Sequence, residues 1–313
     1  MALIRSVFFG TPAIAVPALR ALHETTALVA VVCQPDRPAG RGLELSQPAV
    51  KVSALALGVP VHQPVKVRTG ELERWLREQG ADVALVMAYG RILPAGVLSA
   101  PRRGCLNLHA SLLPKLRGAA PINWAIARGE TETGISLMQM DAGLDTGPVF
   151  ARRSLAISAD ETAGELAERL AELGAVVVRE DLPRALSGEL SAVPQDETLA
   201  THAPLIGKTE TRIDWGRSAL DVVRLVRAMA PRPGAHTRVR GKQLRVARAR
   251  LSSQAVAGPP GAVGLGIGRE LLVATGSGSV EILRAQLEGK KELAAPDLLN
   301  GRALAEGDRL GDD

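Results

Sequence analysis

Asp82-Val-Ala-Leu-Val-Met-Ala88 is an apolar run of strand length in which polar and apolar residues do not alternate. A strand wetted on one face alternates, and a strand covered on both faces does not. This segment is therefore expected in the interior of a parallel sheet with helices on either side. The same grammar recurs outward from it. Residues 3–9 form an apolar run that stops at Gly10-Thr11-Pro12, and helix-compatible sequence follows at 13–22. Residues 28–33 are a valine-rich run, 51–57 suit a helix, and 59–62 offer a short strand. Residues 71–78 read as a charged helix with Leu72, Trp75 and Leu76 on one face. On the other side, strand patterns at 105–109 and 134–140 enclose a helix at 119–127 entered through Pro121. Residues 162–186 place Leu166, Leu170, Leu173, Val177 and Leu186 along one helical side. The expectation is an α/β fold, a Rossmann-like domain with a mostly parallel sheet over residues 1–188.

The pattern then changes. Residues 187–206 have no periodicity, and 189–206 are expected to be a linker. A helix at 220–230 precedes short alternating runs at 237–239, 243–249, 261–267, 270–274 and 279–283, separated by turn residues. That is the pattern of a smaller OB-like β-barrel, expected over 207–313. A chain of 313 residues is long enough for both domains.

Composition excludes several classes. With 46% hydrophobic and 23% charged residues, dominant disorder is excluded. Apolar runs stop well short of the ~18 residues of a membrane span. The N-terminus lacks a signal-peptide pattern, so a cytoplasmic protein without a membrane partner is expected. Cys33 and Cys105 lie far apart in apolar runs and read as buried thiols rather than a disulfide or metal site. Gly10-Thr-Pro has one glycine and no GxGxxG, which disfavours a dinucleotide-dependent dehydrogenase. The net charge of +5 is uneven. Residues 1–204 carry 20 Lys and Arg against 21 Asp and Glu, whereas residues 205–313 carry 18 against 12. From Arg212 to Arg250 there are eleven basic residues and two acidic ones. On charge alone a polyanion partner and a solvated arginine-rich surface are equally good readings.

The densest polar cluster is Asn107-Leu108-His109-Ala110-Ser111. Alternation puts Asn107, His109 and Ser111 on one face of a strand end, where open α/β sheets bind ligands. Asp141-Ala-Gly-Leu-Asp145-Thr-Gly147 follows another strand, and its glycines permit a tight turn back toward that spot. Asn and His can donate to a tetrahedral oxyanion, and Asp can orient the His and accept a proton through water. A structural histidine and a turn-forming aspartate fit the same spacing.

Longer stretches separate these readings. Asn107-Leu-His109-Ala-Ser-Leu-Leu-Pro-Lys-Leu-Arg-Gly-Ala-Ala-Pro-Ile resembles the signature of the 10-formyltetrahydrofolate-dependent formyltransferases. Gly143-Leu-Asp145-Thr-Gly is similar to the family's second motif, and Ala88-Tyr-Gly-Arg-Ile-Leu-Pro94 resembles its folate-side segment. Gln34-Pro-Asp-Arg-Pro-Ala-Gly-Arg-Gly42 resembles the loop inserted after the second strand in the members that act on tRNA, and Thr211-Arg-Ile-Asp-Trp215 resembles the entry to their C-terminal domain. Those members often continue the loop with basic residues, where this chain has Leu43-Glu44-Leu45.

The resemblance implies 10-formyltetrahydrofolate as formyl donor and methionine esterified to initiator tRNA as acceptor, with no metal. It implies Asn107, His109 and Asp145 as catalytic residues. Ser111, Leu112, Leu113 and Pro114 match the tetrahydrofolate-binding segment, and Gly90, Arg91, Ile92 and Leu93 match the pterin-side segment. Arg37, Arg41, Lys208 and Arg212 are the candidate tRNA contacts, with a mobile surface loop and plain surface solvation as the competing readings. A monomer without a DNA partner is expected. Formyl transfer to a small amine, hydrolysis of the donor and non-catalytic tRNA binding are the alternatives.

Overall fold

The computed structural model describes residues 3–39 and 44–311. In chain order the strands are β1 (Arg5–Gly10), β2 (Ala27–Val32), β3 (Arg37–Ala39), β4 (Glu44–Ser46), β5 (Val61–His62), β6 (Val83–Met87), β7 (Cys105–His109), β8 (Glu132–Gln139) and β9 (Val149–Ala156). They continue with β10 (Ala235–Val239), β11 (Lys242–Ser252), β12 (Val263–Leu265), β13 (Leu271–Ala274), β14 (Ser279–Leu287) and β15 (Leu293–Ala294). The helices are α1 (Val16–Thr25), α2 (Ala49–Ala56), α3 (Glu71–Glu78), α4 (Ala95–Leu98), α5 (Pro121–Ala127), α6 (Ala163–Ser187), α7 (Ala219–Met229) and α8 (Ala295–Asn300). Two compact units result. One comprises residues 1–121, 133–155 and 167–204, and the other residues 122–132, 156–166 and 205–313.

The first unit is built on a seven-stranded sheet of order β5-β2-β1-β6-β7-β8-β9. β5, β2, β1, β6 and β7 run parallel, while β7 and β8 pair antiparallel. β6 is buried along its whole length, as its unbroken apolar run requires. The chain builds outward from β1 to β2 and β5, then returns to β6 on β1's other side. This reversal is a topological switch point, and the carboxyl ends of the strands beside it form the ligand crevice of such folds. α3 and α4 cover one face, packing Leu72, Leu76 and Val97 against Val7, Phe9, Ala84 and Val86.

Strand β9 was not foreseen. Val-Phe-Ala-Arg-Arg-Ser-Leu-Ala reads weakly because two arginines interrupt it, yet as the sheet's last strand it needs to bury only alternate residues. Arg153 is held by Asp181 on α6 at 2.5 Å and by Glu180 at 2.6 Å. Of the expected linker, residues through 204 pack with the first unit and later ones with the second. The small hairpin β3–β4, also unforeseen, pairs Arg37 with Ser46 and Pro38 with Leu45.

The second unit carries an antiparallel sheet of order β10-β11-β14-β13-β12, with β15 added on β14. Its two edges meet the same C-terminal segment, since Val239 bridges to Leu310 and Ala262 to Arg309. That segment closes the sheet in the barrel-like sense expected, as edge protection favours. Leu244, Val246 and Ala249 point inward from β11, and α7 adds Val222, Val226 and Met229 to the core. Trp215 is also core, with its Nε1–H donating to Thr237 Oγ1 at 3.0 Å. Among the described residues no helix is long and apolar enough to cross a membrane.

Candidate active site

Asn107 and His109 lie on one face at the carboxyl end of β7, two residues apart. Asn107 pairs in register with Val86 of β6, so the strand end abuts the segment that follows β6. Asp145 comes from the turn after β8. The Asp141 carboxylate shapes this turn by accepting from the Gly143 N–H at 3.0 Å and from the Thr146 hydroxyl at 2.8 Å. Gly147 then runs so close to β8 that a Cβ there would lie 2.0 Å from the Gln139 carbonyl oxygen. Glycine is required at this position for the turn to fold back onto the sheet.

The three side chains meet. Asp145 Oδ2 lies 3.5 Å from His109 Nδ1, and Oδ1 lies 3.5 Å from Asn107 Nδ2. Asp145 Oδ2 also accepts the Gly118 N–H at 2.8 Å. His109 is 6% exposed, and its Nε2 lies 3.0 Å from the Leu116 carbonyl oxygen. A carbonyl only accepts, so Nε2 carries the hydrogen and Nδ1 is the nitrogen that faces the carboxylate. The pair is therefore oriented for proton exchange between Asp145 and His109 Nδ1. Distances of 3.5 Å are longer than an ordinary hydrogen bond.

The donor-side residues divide. Ser111 is buried, its hydroxyl donating to the Lys115 carbonyl at 2.6 Å. Leu113 is buried against Met138 and Val149, and its N–H donates to Ser136 Oγ at 3.1 Å. These two residues hold the turn, while Leu112 and Pro114 retain partial exposure. Gly90 (φ +78°) and Ile92 are exposed after β6, Arg91 is half-buried and Leu93 is in the core. The amide of Gln34 donates to the Tyr89 carbonyl at 2.9 Å and thereby fixes this segment. Burial pushes the Tyr89 hydroxyl up to about 12, so it stays protonated at neutral pH.

The described candidate tRNA residues fall in both units. Arg37 is exposed on β3 and donates to Gln34 Oε1 at 2.5 Å, and Arg41 lies outside the described residues. In the second unit Lys208 and Arg212 are exposed. Arg212 lines a pocket with His236, Thr237, Arg238 and Gly311. Burial, then the charges of Arg212 and Arg238, hold the His236 imidazole below its ordinary pKa. Much of the basic stretch is spoken for by carboxylates distant in sequence. Arg240 pairs with Asp308, Arg245 with Glu292, Arg248 with Glu165 and Arg250 with Glu281. Arg227 instead donates to the carbonyls of Glu161 and Ser158 at 2.9 Å each.

Sequence reasoning missed Arg117, Gln195, Glu197 and Thr201, which surround the Asp145 turn. Arg117 stands inside the quoted motif, but the other three fall in the stretch expected to be a linker. No local pattern marks them, because their partners lie 48 to 85 residues away. Among the described residues no group of three or more His, Cys, Asp or Glu could hold a metal ion. Cys33 and Cys105 are buried free thiols, pushed by burial up to about 11 and about 12.

Known proteins are similar to this chain over nearly its whole length. Residues 4–182 match the family model described as formyl transferase, and residues 205–303 match the formyl transferase C-terminal domain. The methionyl-tRNA formyltransferase of Sorangium cellulosum (strain So ce56) is 59% identical over 98% of this chain and 100% of its own length. That of Myxococcus xanthus (strain DK1622) is 50% identical over 97% of this chain and 96% of its own. Among solved structures, HypX from Aquifex aeolicus in complex with tetrahydrofolic acid has a TM-score of 0.65 at 19% identity, covering 97% of this chain and 49% of that one. The sugar 3N-formyl transferase WlaRD has a TM-score of 0.67 at 15% identity, covering 93% of this chain and 100% of that one. At these identities the two solved structures share the fold.

Proposed function

The chain belongs to the formyl transferase family, and from that premise we propose that it moves the formyl group of 10-formyltetrahydrofolate to the α-amine of methionine esterified to initiator tRNA. The observation that carries the reading is the meeting of Asn107, His109 and Asp145 at the end of β7. The full-length identity to methionyl-tRNA formyltransferases supports the acceptor. The WlaRD likeness covers the small-amine alternative through fold alone.

The neutral amine attacks the formyl carbon, and the carbonyl oxygen becomes an oxyanion. Asn107, which has a second amide N–H beyond the one facing Asp145, donates to that oxygen, and His109 adds a positive charge beside it once Nδ1 has taken up the amine proton. The amine proton passes, in part through water, to Asp145 and His109 Nδ1. It leaves again to the folate nitrogen as the tetrahedral intermediate collapses. Each oxyanion donor is worth about 2.7–4 kcal/mol in such sites. Leu112, Pro114 and residues Gly90 to Ile92 line the donor side, with Ser111, Leu113 and Leu93 supporting them from the core.

Residues 1–188, with 189–204 packed onto them, form the catalytic domain, and 207–313 the tRNA-holding domain. Arg37, Arg41, Lys208 and Arg212 contact tRNA through phosphates. The one aromatic after residue 204, Trp215, is buried and offers no stacking platform. The enzyme works as a cytoplasmic monomer. The deciding experiment incubates labelled formyl donor with Met-tRNA, uncharged tRNA, small amines and water alone. Label on Met-tRNA only is expected, and label on small amines or in free formate would overturn the reading.

A further inference from the structure

Asp145 adopts a left-handed backbone, φ +55°, a conformation uncommon for residues with a Cβ though aspartate enters it more readily than most. What holds it is Gln195. The Gln195 Nε2 donates to two carbonyls of the turn, Asp145 O at 2.8 Å and Gly147 O at 2.7 Å. Its Oε1 accepts from Arg117 Nε at 3.1 Å and Nη2 at 2.9 Å. A guanidinium can only donate, so the carboxamide cannot be turned over, and its two N–H groups must face the Asp145 turn. Arg117 is itself 3% exposed and held by Glu197 through two contacts of 2.8 Å.

The same strap reaches the histidine. Thr201 accepts the Arg117 N–H at 2.8 Å, and its Oγ1 accepts the Leu116 N–H at 2.9 Å. Leu116 is the residue whose carbonyl receives His109 Nε2–H. Gly118, next along, donates to the Asp145 carboxylate. Residues 195–203 thus set the backbone that orients both partners of the proton-exchanging pair.

We propose that Gln195 is a positioning residue for the transfer step: through its two carbonyl contacts, and backed by Arg117 and Glu197, it holds Asp145 at the angle that faces His109 Nδ1. The proposal rests on the catalytic role given to Asp145 above. Without the clamp the turn relaxes from the left-handed conformation and the carboxylate swings off the imidazole. Misplacement of about 1 Å costs on the order of a hundredfold in such steps.

The test is a double-mutant kinetic cycle. Gln195→Ala should lower kcat by roughly 30- to 100-fold while KM for the donor and for Met-tRNA stays within about twofold. Adding Gln195→Ala to Asp145→Asn should cost less than about twofold further, since a residue acting through Asp145 has nothing left to position. Gln195→Glu keeps the Arg117 contact but cannot donate to two carbonyls, so it should lose kcat as Gln195→Ala does. Multiplying losses in the double variant, a rise in KM at constant kcat, or wild-type kcat in Gln195→Glu would each overturn the proposal. If Gln195→Ala does not fold, Glu197→Gln, at the exposed end of the strap, carries the same cycle with a smaller expected loss of about five- to tenfold. An Asp145→Asn variant with full activity would sink the catalytic reading of Asp145 itself. A dead Asp145→Asn beside a fully active Gln195→Ala would sink only the positioning.

Discussion

At the scale of single residues, chemistry is concentrated where ordinary side chains have little freedom. His109 has one nitrogen committed to a backbone carbonyl and the other facing a carboxylate, so its tautomer and ring orientation follow from geometry. Asp145→Asn keeps the shape of the turn and removes the carboxylate charge that faces His109 Nδ1. It should lower kcat by about 10²–10⁴-fold, the usual worth of a positioned base, with an unchanged circular dichroism spectrum. His109→Ala should lose about 10²-fold or more. Single-turnover kinetics, which isolate the chemical step, would check both. Asn107, His109 and Asp145 were all legible in the sequence because the motifs carrying them are contiguous. Their supporting residues were not, since Gln195 and Glu197 sit in a stretch without periodicity.

At the scale of elements, the turn after β8 and the sheet's last strand decide whether the site forms. Gly147→Ala would drive a methyl group onto the Gln139 carbonyl, an atom that cannot move without disturbing β8. Its expected signature is a lower melting temperature together with a lower kcat, measured by calorimetry and by turnover on one preparation. Arg153→Ala would leave the Asp181 carboxylate, 6% exposed, without its main partner. The cost should be about 1–3 kcal/mol in urea unfolding, below the ~3–5 of a fully enclosed pair because Arg153 is 30% exposed and solvent screens it. β9 escaped the sequence reading because two arginines interrupt it; Arg152 takes the exposed face of this last strand, and Arg153 on the other face is partnered by Asp181 of α6. The barrel strands were legible from their alternation and turn residues. Their closure was not, because it depends on Arg309 and Leu310 returning to both edges.

At the scale of the whole molecule, charge and pH govern behaviour. Several arginines of the 212–250 stretch pair with carboxylates elsewhere, so its uncompensated positive charge is smaller than the sequence suggests. KM for Met-tRNA should rise about tenfold between 50 and 200 mM salt if two phosphates are held, while KM for the folate donor changes little. Steady-state kinetics in both substrates would show it, and equal sensitivity would contradict it. Stability should fall on the acid side. The hydrogen bonds from Arg117 hold the Glu197 carboxyl below its ordinary range, and those from Thr162 do the same for Glu165. Each favours the fold above the ordinary carboxylate pKa and loses that contribution as pH falls through its lowered value. Burial lowers His62, which stacks on Trp75 at 4.3 Å, and burial is the leading cause for His236. Unfolded imidazoles take up protons near 6.5 that these folded ones refuse, so their contribution declines as pH drops through that value. Thermal melts at pH 8, 6 and 4.5 should show a progressive fall, with these groups giving no loss from pH 7 to 8.

The sequence by itself determined the fold class, the order of most elements and the three polar side chains that meet at the end of β7. Those features rest on local periodicity and contiguous motifs, which a chain carries wherever it folds. Only the tertiary structure decided which nitrogen of His109 faces Asp145, which arginines of the 212–250 stretch pair with distant carboxylates, and that the unpatterned stretch 195–203 packs around the Asp145 turn. Each of these is a matter of hydrogen bonds and ion pairs between residues tens of positions apart, and such pairings leave no period in the sequence.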